Sequence, residues 1–181
     1  MSFRNILKWS AAFTFIVAST GSAHASDGTI SFSGSIVSAT CTVKVNNSAA
    51  SATVSLPTVS QTALAAGGEV AGATQFTLNL SGCTAGKTVS AYFEAGATVE
   101  PATGNLVNGG TAGNVQVQLL NNAGTPISVG SAAQATSTGI AMTASPAVNS
   151  GVLSYVAQYY ATGASTTGSV TTSVTYSLTY L

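Results

Sequence analysis

Residues 168–181 constrain this chain more than any other stretch. Val170, Val174, Tyr176, Leu178 and Tyr180 share one parity, with Thr172 among them. Thr171, Ser173, Thr175, Ser177 and Thr179 fill the other parity, and only Leu181 breaks the pattern. Successive side chains of a strand point to opposite faces, so the stretch reads as a β-strand with one apolar and one hydroxylated face. A helix would scatter the same apolar residues around its circumference. A long, half-apolar strand with no partner strand after it invites pairing with another chain unless something covers its edge. Two readings follow, a closing strand of an ordinary β-sandwich or an edge that receives a strand from elsewhere.

The other end of the chain is an export signal. Arg4 and Lys8 form a positive n-region, residues 9–20 are mostly apolar, and Ala23-His24-Ala25 fits the small-x-small rule for a cleaved signal peptide. The apolar run is shorter than the roughly 20 residues that a membrane helix needs. The expected cut lies between Ala25 and Ser26, which makes 1–25 the signal; a cut after Ala23, read through Gly21-Ser22-Ala23, is the alternative.

Cleavage changes the chemistry available. The only His (His24) and the only Trp (Trp9) leave with the signal. The remaining cations are Lys44 and Lys87, and the anions are Asp27, Glu69, Glu94 and Glu100, a net charge of −2. Two cations cannot build a nucleic-acid footprint, so no nucleic-acid partner is expected. No basic amphipathic stretch is present to lie on a membrane. A globular surface ordinarily carries more charge for solubility, so a surface this neutral is expected to be covered by neighbours. Cys41 and Cys83, an even pair in an exported chain, read as one disulfide, and no His or further Cys accompanies them to hold zinc.

Between the termini, short alternating stretches dominate. Residues 28–37 place Gly28, Ile30, Phe32, Gly34 and Ile36 on one face. Strands are also expected over 40–45, 52–56, 74–80, 89–94, 115–119 and 148–160, with a short edge at 126–129. Asn46-Asn47-Ser48 and Asn121-Asn122-Ala123-Gly124 read as turns, 61–66 as one helical turn stopped by Gly67-Gly68, and 95–114 as loop. About eight short strands at regular spacing argue for an all-β sandwich of immunoglobulin type in one domain. The Trp that antibody domains keep between their cysteines is missing here.

Few parts of an enzyme remain. Without His, neither a His-based triad nor a His metal site can be built, and no cofactor-binding glycine motif is present. A glycosidase-like carboxylate pair could come only from Glu94 and Glu100, which read more simply as solvated loop or strand-edge residues.

Three stretches together resemble the major subunits of chaperone–usher pili, the type 1 fimbrial pilin family. Gly28-Thr29-Ile30-Ser31-Phe32-Ser33-Gly34 leading to Cys41 is similar to the pilin N-terminal extension and first strand. Phe76-Thr77-Leu78-Asn79-Leu80-Ser81-Gly82-Cys83 is similar to the strand carrying the second cysteine. Tyr159-Tyr160-Ala161-Thr162-Gly163-Ala164 resembles a family signature, followed by Gly168 and the penultimate Tyr180.

The resemblance implies an incomplete immunoglobulin-like sandwich that lacks its final strand and is completed by a donor strand from a neighbouring subunit. It implies that 26–37 is the donor extension, with Gly28, Ile30 and Phe32 facing the groove, and that 38–181 is the pilin domain. Gly168, Val170, Val174, Tyr176, Leu178 and Tyr180 would be the acceptor groove and the chaperone-binding edge. A periplasmic chaperone, an outer-membrane usher and identical or homologous pilin subunits would be the partners, and no cofactor is implied. The chain would form the rod of a surface fimbrium used in adhesion. A minor adaptor or tip adhesin of the same kind of pilus is the alternative. Fifteen residues separate the expected cut from Cys41, fewer than in the best-known type 1 pilins.

Overall fold

The computed structural model describes residues 30, 31, 33, 34, 41–83, 87–134 and 150–180. The chain divides into two units, Met1–Ile36 and Val37–Leu181. Of the first, Ile30 is exposed, and the Ala25–Ser26 cleavage point, Gly28 and Phe32 lie outside the described residues. All that follows concerns the second unit.

Seven strands are present among the described residues: β1 (Thr42–Val45), β2 (Val70–Ser81), β3 (Val89–Phe93), β4 (Leu106–Val107), β5 (Val115–Asn121), β6 (Ser150–Ala161) and β7 (Tyr176–Tyr180). Five form one sheet in the order β1-β2-β6-β5-β4, and β3 and β7 form a second. Every pairing is antiparallel. A 3-10 turn lies at Gln61–Leu64, where Ser60 Oγ accepts from the Thr62 N–H.

Alternation decides which face each strand buries. On β2, Phe76, Leu78 and Leu80 are buried, and β6 matches them with Leu153, Tyr155 and Ala157. The register sets Phe76 beside Tyr155 and Leu78 beside Leu153, so both strands turn their apolar residues to one side. β5 adds Val115, Val117 and Leu119, and β3 adds Val89, Ala91 and Phe93 from the other sheet. The Phe93 and Tyr155 rings meet edge to face across the sheets, with centroids 5.1 Å apart. Aromatic pairs favour this geometry, and each large side chain so buried contributes roughly 1.5–3 kcal/mol.

The far edge of β3 is closed at one point. Phe93 N–H donates to Gln134 Oε1 (2.9 Å), and Gln134 Nε2 donates back to the Phe93 carbonyl (2.7 Å). Gln134 is buried, so its amide acts as a one-residue substitute for a neighbouring strand.

Several sequence expectations change. Strand β2 begins earlier than expected, at Val70, because a bulge between Ala71 and Thr74 lets the ladder with β6 continue. Gly72 sits in this bulge with φ 68°, and a side chain there would strike the Tyr159 ring. The 95–114 loop contains the two-residue β4. The stretch 126–129 makes an isolated bridge between Leu120 and Pro126 rather than a strand, since Pro126 has no N–H to extend a ladder. The stretch 52–56 is not in a strand, because no neighbour is hydrogen-bonded to it. The last strand is laddered only from Tyr176; residues 170–175 keep the alternating burial without a regular partner.

Cys41 and Cys83 are disulfide-bonded, as the cysteine count suggests. The bond sits just beyond the Thr42–Ser81 pair and closes the end of the β1–β2 ladder. Crossing 42 positions of sequence, it should stabilise the fold by about 4 kcal/mol through loss of unfolded-chain entropy. Thiol labelling of the unfolded, unreduced protein should therefore find no reactive cysteine. Cys41→Ser should lower the unfolding free energy by about that amount in urea titration; two labelled thiols, or an unchanged midpoint, would contradict this.

Candidate functional site

The feature that sets this sandwich apart is an opening between two unpaired lengths of backbone. One wall is an extended strap, residues 51–59, whose backbone makes no hydrogen bond among the described residues. It turns Val54 and Leu56 toward the core and leaves Ser55 and Pro57 exposed. The other wall is the run leading into β7. Here the odd residues are tied to the loop behind them: the Thr171 carbonyl accepts from Gly109 N–H (2.8 Å), the Ser173 carbonyl from Thr98 Oγ1 (2.7 Å), and the Thr175 carbonyl from Glu94 N–H (2.8 Å).

Neighbouring residues of an extended chain direct their N–H and C=O groups to opposite sides. Val170, Thr172 and Val174 therefore aim theirs toward the strap, and none makes a backbone hydrogen bond among the described residues. Their side chains turn to the core, where Val170 and Val174 pack. Thr172 Oγ1 is buried and has no hydrogen-bond partner among the described residues.

Between the walls runs a groove of ≈ 1060 Å³. Its floor is the core itself: Phe76, Leu78, Phe93, Leu106, Val117 and Leu119 all line it. No lining residue is charged. A smaller cavity of ≈ 380 Å³ adjoins it, and Tyr159 and Val170 line both. Gly168 lines the smaller cavity and sits against the backbone of Thr111 and Ala112, so closely that any side chain would collide there.

At the opposite end the walls are joined. Tyr176 Oη donates to the Ala50 carbonyl at 2.7 Å, and Cys41 N–H donates to Tyr180 Oη at 2.9 Å. Burial pushes the Tyr176 hydroxyl up from its ordinary 10.0, so it stays protonated and remains a donor at neutral pH.

The expected acceptor residues are thus divided. Val170, Val174 and Tyr176 line the groove, Gly168 lies at the adjoining cavity, and Leu178 and Tyr180 pack against the core outside the groove. Sequence reading missed the strap as the second wall. Its signal was present: Val54 and Leu56 alternate with polar residues in a stretch ended by Pro57. Glu94 and Glu100 are not paired with each other; Glu94 accepts from Ser177 Oγ (2.6 Å) and Glu100 from the Ala102 N–H (3.5 Å).

Known proteins share this chain's sequence and fold. The family model for type-1 fimbrial protein A matches residues 56–181. The major fimbrial subunit SMF-1 of Stenotrophomonas maltophilia is 45% identical over 134 residues, covering 71% of this chain and 75% of that one. The F17 fimbrial protein of Escherichia coli is 44% identical over 128 residues, covering 66% and 70%. The crystal structure of the P pilus rod subunit PapA has the same fold, with a TM-score of 0.58 at 21% identity over 77% of this chain and 99% of PapA. With a family model spanning most of its length and a relative this similar, the chain belongs to the type-1 fimbrial protein family.

Proposed function

We propose that this chain is a structural subunit of a chaperone–usher surface fimbria, which polymerises head to tail by donor-strand exchange into the rod used in adhesion. The observation that carries the reading is the groove, with unpaired backbone on both sides and an apolar floor. Backbone groups kept from water need partners, and one inserted strand can pair with both walls while its alternate side chains fill the floor. Residues 26–37 of a second copy suit this insertion. Ile30 and Phe32 would anchor it, Gly28 would fit where the floor leaves no room, and Thr29, Ser31 and Ser33 would face outward. Val170, Val174 and Tyr176, with Gly168 at the cavity, form the acceptor side, and the expected Leu178 and Tyr180 lie beyond the groove.

Such an interface joins two different surfaces of the same molecule, so it does not close on itself and builds an open filament. Residues 1–25 direct export and are removed between Ala25 and Ser26. A periplasmic chaperone occupies the groove until the usher at the outer membrane exchanges it for the next subunit's extension. The relatives' names place the chain with major fimbrial subunits. This role needs neither catalysis nor a cofactor; Glu94 and Glu100 are engaged in local hydrogen bonds.

Two substitutions test the two sides separately. Val174→Asp removes apolar burial of about 1.5 kcal/mol and sets a carboxylate against the incoming strand. A peptide copying residues 26–37 should therefore bind the variant more than tenfold less tightly than the parent subunit, measured by calorimetry. Equal affinity would remove the groove from the assembly. Phe32→Asp should leave the subunit's own fold and chaperone capture intact yet stop polymerisation, whereas Ser31→Asp should do far less. Electron microscopy of sheared filaments reads this directly, and equal effects at both positions would show that the stretch is not the donor.

A further inference from the structure

Resting on the donor-strand reading above, we infer that Tyr176 is a positioning residue, the end stop that confines the incoming strand of a second copy to the Val170–Val174 half of the acceptor edge.

The edge is longer than the groove. Among the described residues β7 has one strand neighbour, β3. The Thr175 carbonyl faces the β3 side, where it accepts from Glu94 N–H. By alternation Tyr176, Leu178 and Tyr180 then face the same open side as Val170, Thr172 and Val174. Yet on this edge the groove's lining ends at Tyr176; Leu178 and Tyr180 are not in it, while Cys41, Val43 and Val45 line it from the β1 side.

The cause is a side-chain bridge. The Tyr176 hydroxyl reaches the far wall and binds the Ala50 carbonyl, at the point where the strap begins. Tyr180 makes a second bridge to the Cys41 N–H. An edge spanned by phenol rings offers no place for a backbone to lie unless the Tyr176–Ala50 bond is broken. A strand confined to Val170–Val174 covers about 17 Å at the ordinary rise per residue.

Residue-resolved hydrogen exchange on assembled filaments tests this. In the parent filament, the Thr172 and Val174 amides should exchange at least a hundredfold more slowly than in donor-free subunit, while the Leu178 amide changes less than threefold. Tyr176→Phe keeps the ring and removes the bridge to Ala50. In filaments of that variant, Leu178 should slow at least tenfold as the donor extends along the edge. Leu178 protected as strongly as Thr172 in the parent would overturn the end stop, and so would a Leu178 rate unmoved by Tyr176→Phe. If Thr172 and Val174 are themselves unprotected in the filament, the donor-strand reading fails and this inference goes with it.

Discussion

Backbone groups that leave water must find hydrogen-bond partners, and among its described residues this sandwich has two facing lengths of chain without backbone partners. The strap at 51–59 and the edge at Val170, Thr172 and Val174 stand on either side of a floor made of core side chains. The packing of Phe76, Leu78, Phe93 and Val117 is thus finished from below and incomplete from the side. An isolated subunit in this state has an open sheet edge, a feature that makes β-proteins aggregate. Its biology has to keep that opening covered at every stage, and a strand-lending partner followed by a neighbouring copy meets this requirement.

The rest of the fold positions that opening. β2 and β6 form the longest ladder; β2 gives the floor Phe76 and Leu78, and β3, β4 and β5 add Phe93, Leu106, Val117 and Leu119. The disulfide fastens the start of β1 to the end of β2, and the strap's chain leaves the sheet from the other end of β1, after Val45. Loop 94–112 holds the back of the β7 approach through Gly109, Thr98 and Glu94, which leaves the opposite side of the same residues unpaired. The edge is therefore held straight from behind and left open in front.

Much of this was legible in the residues. Period-two alternation gave the strands at 74–80, 115–119 and 148–160 and the inward face of 170–180, because burial of one face follows directly from side-chain geometry. The pairing of Cys41 with Cys83 followed from their count and from export. Alternation cannot say whether an extended stretch has a neighbour. The stretches 52–56 and 170–175 read as strands for the same reason as the others, and only the tertiary arrangement leaves them without a ladder. Nor can local pattern show that Ala50 and Tyr176, 126 positions apart, meet across the groove.

Gln134 supplies the last consequence. A two-stranded sheet has two outer edges, and here they are treated differently: the buried amide of Gln134 occupies both hydrogen-bonding groups of Phe93 on the β3 side, while the Val170–Val174 run into β7 stays receptive. A unit with two receptive edges is a potential branch point, and its assemblies become networks. A unit with one receptive edge and one tail can only lengthen a line. One glutamine thus bears on the connectivity of an object many subunits long.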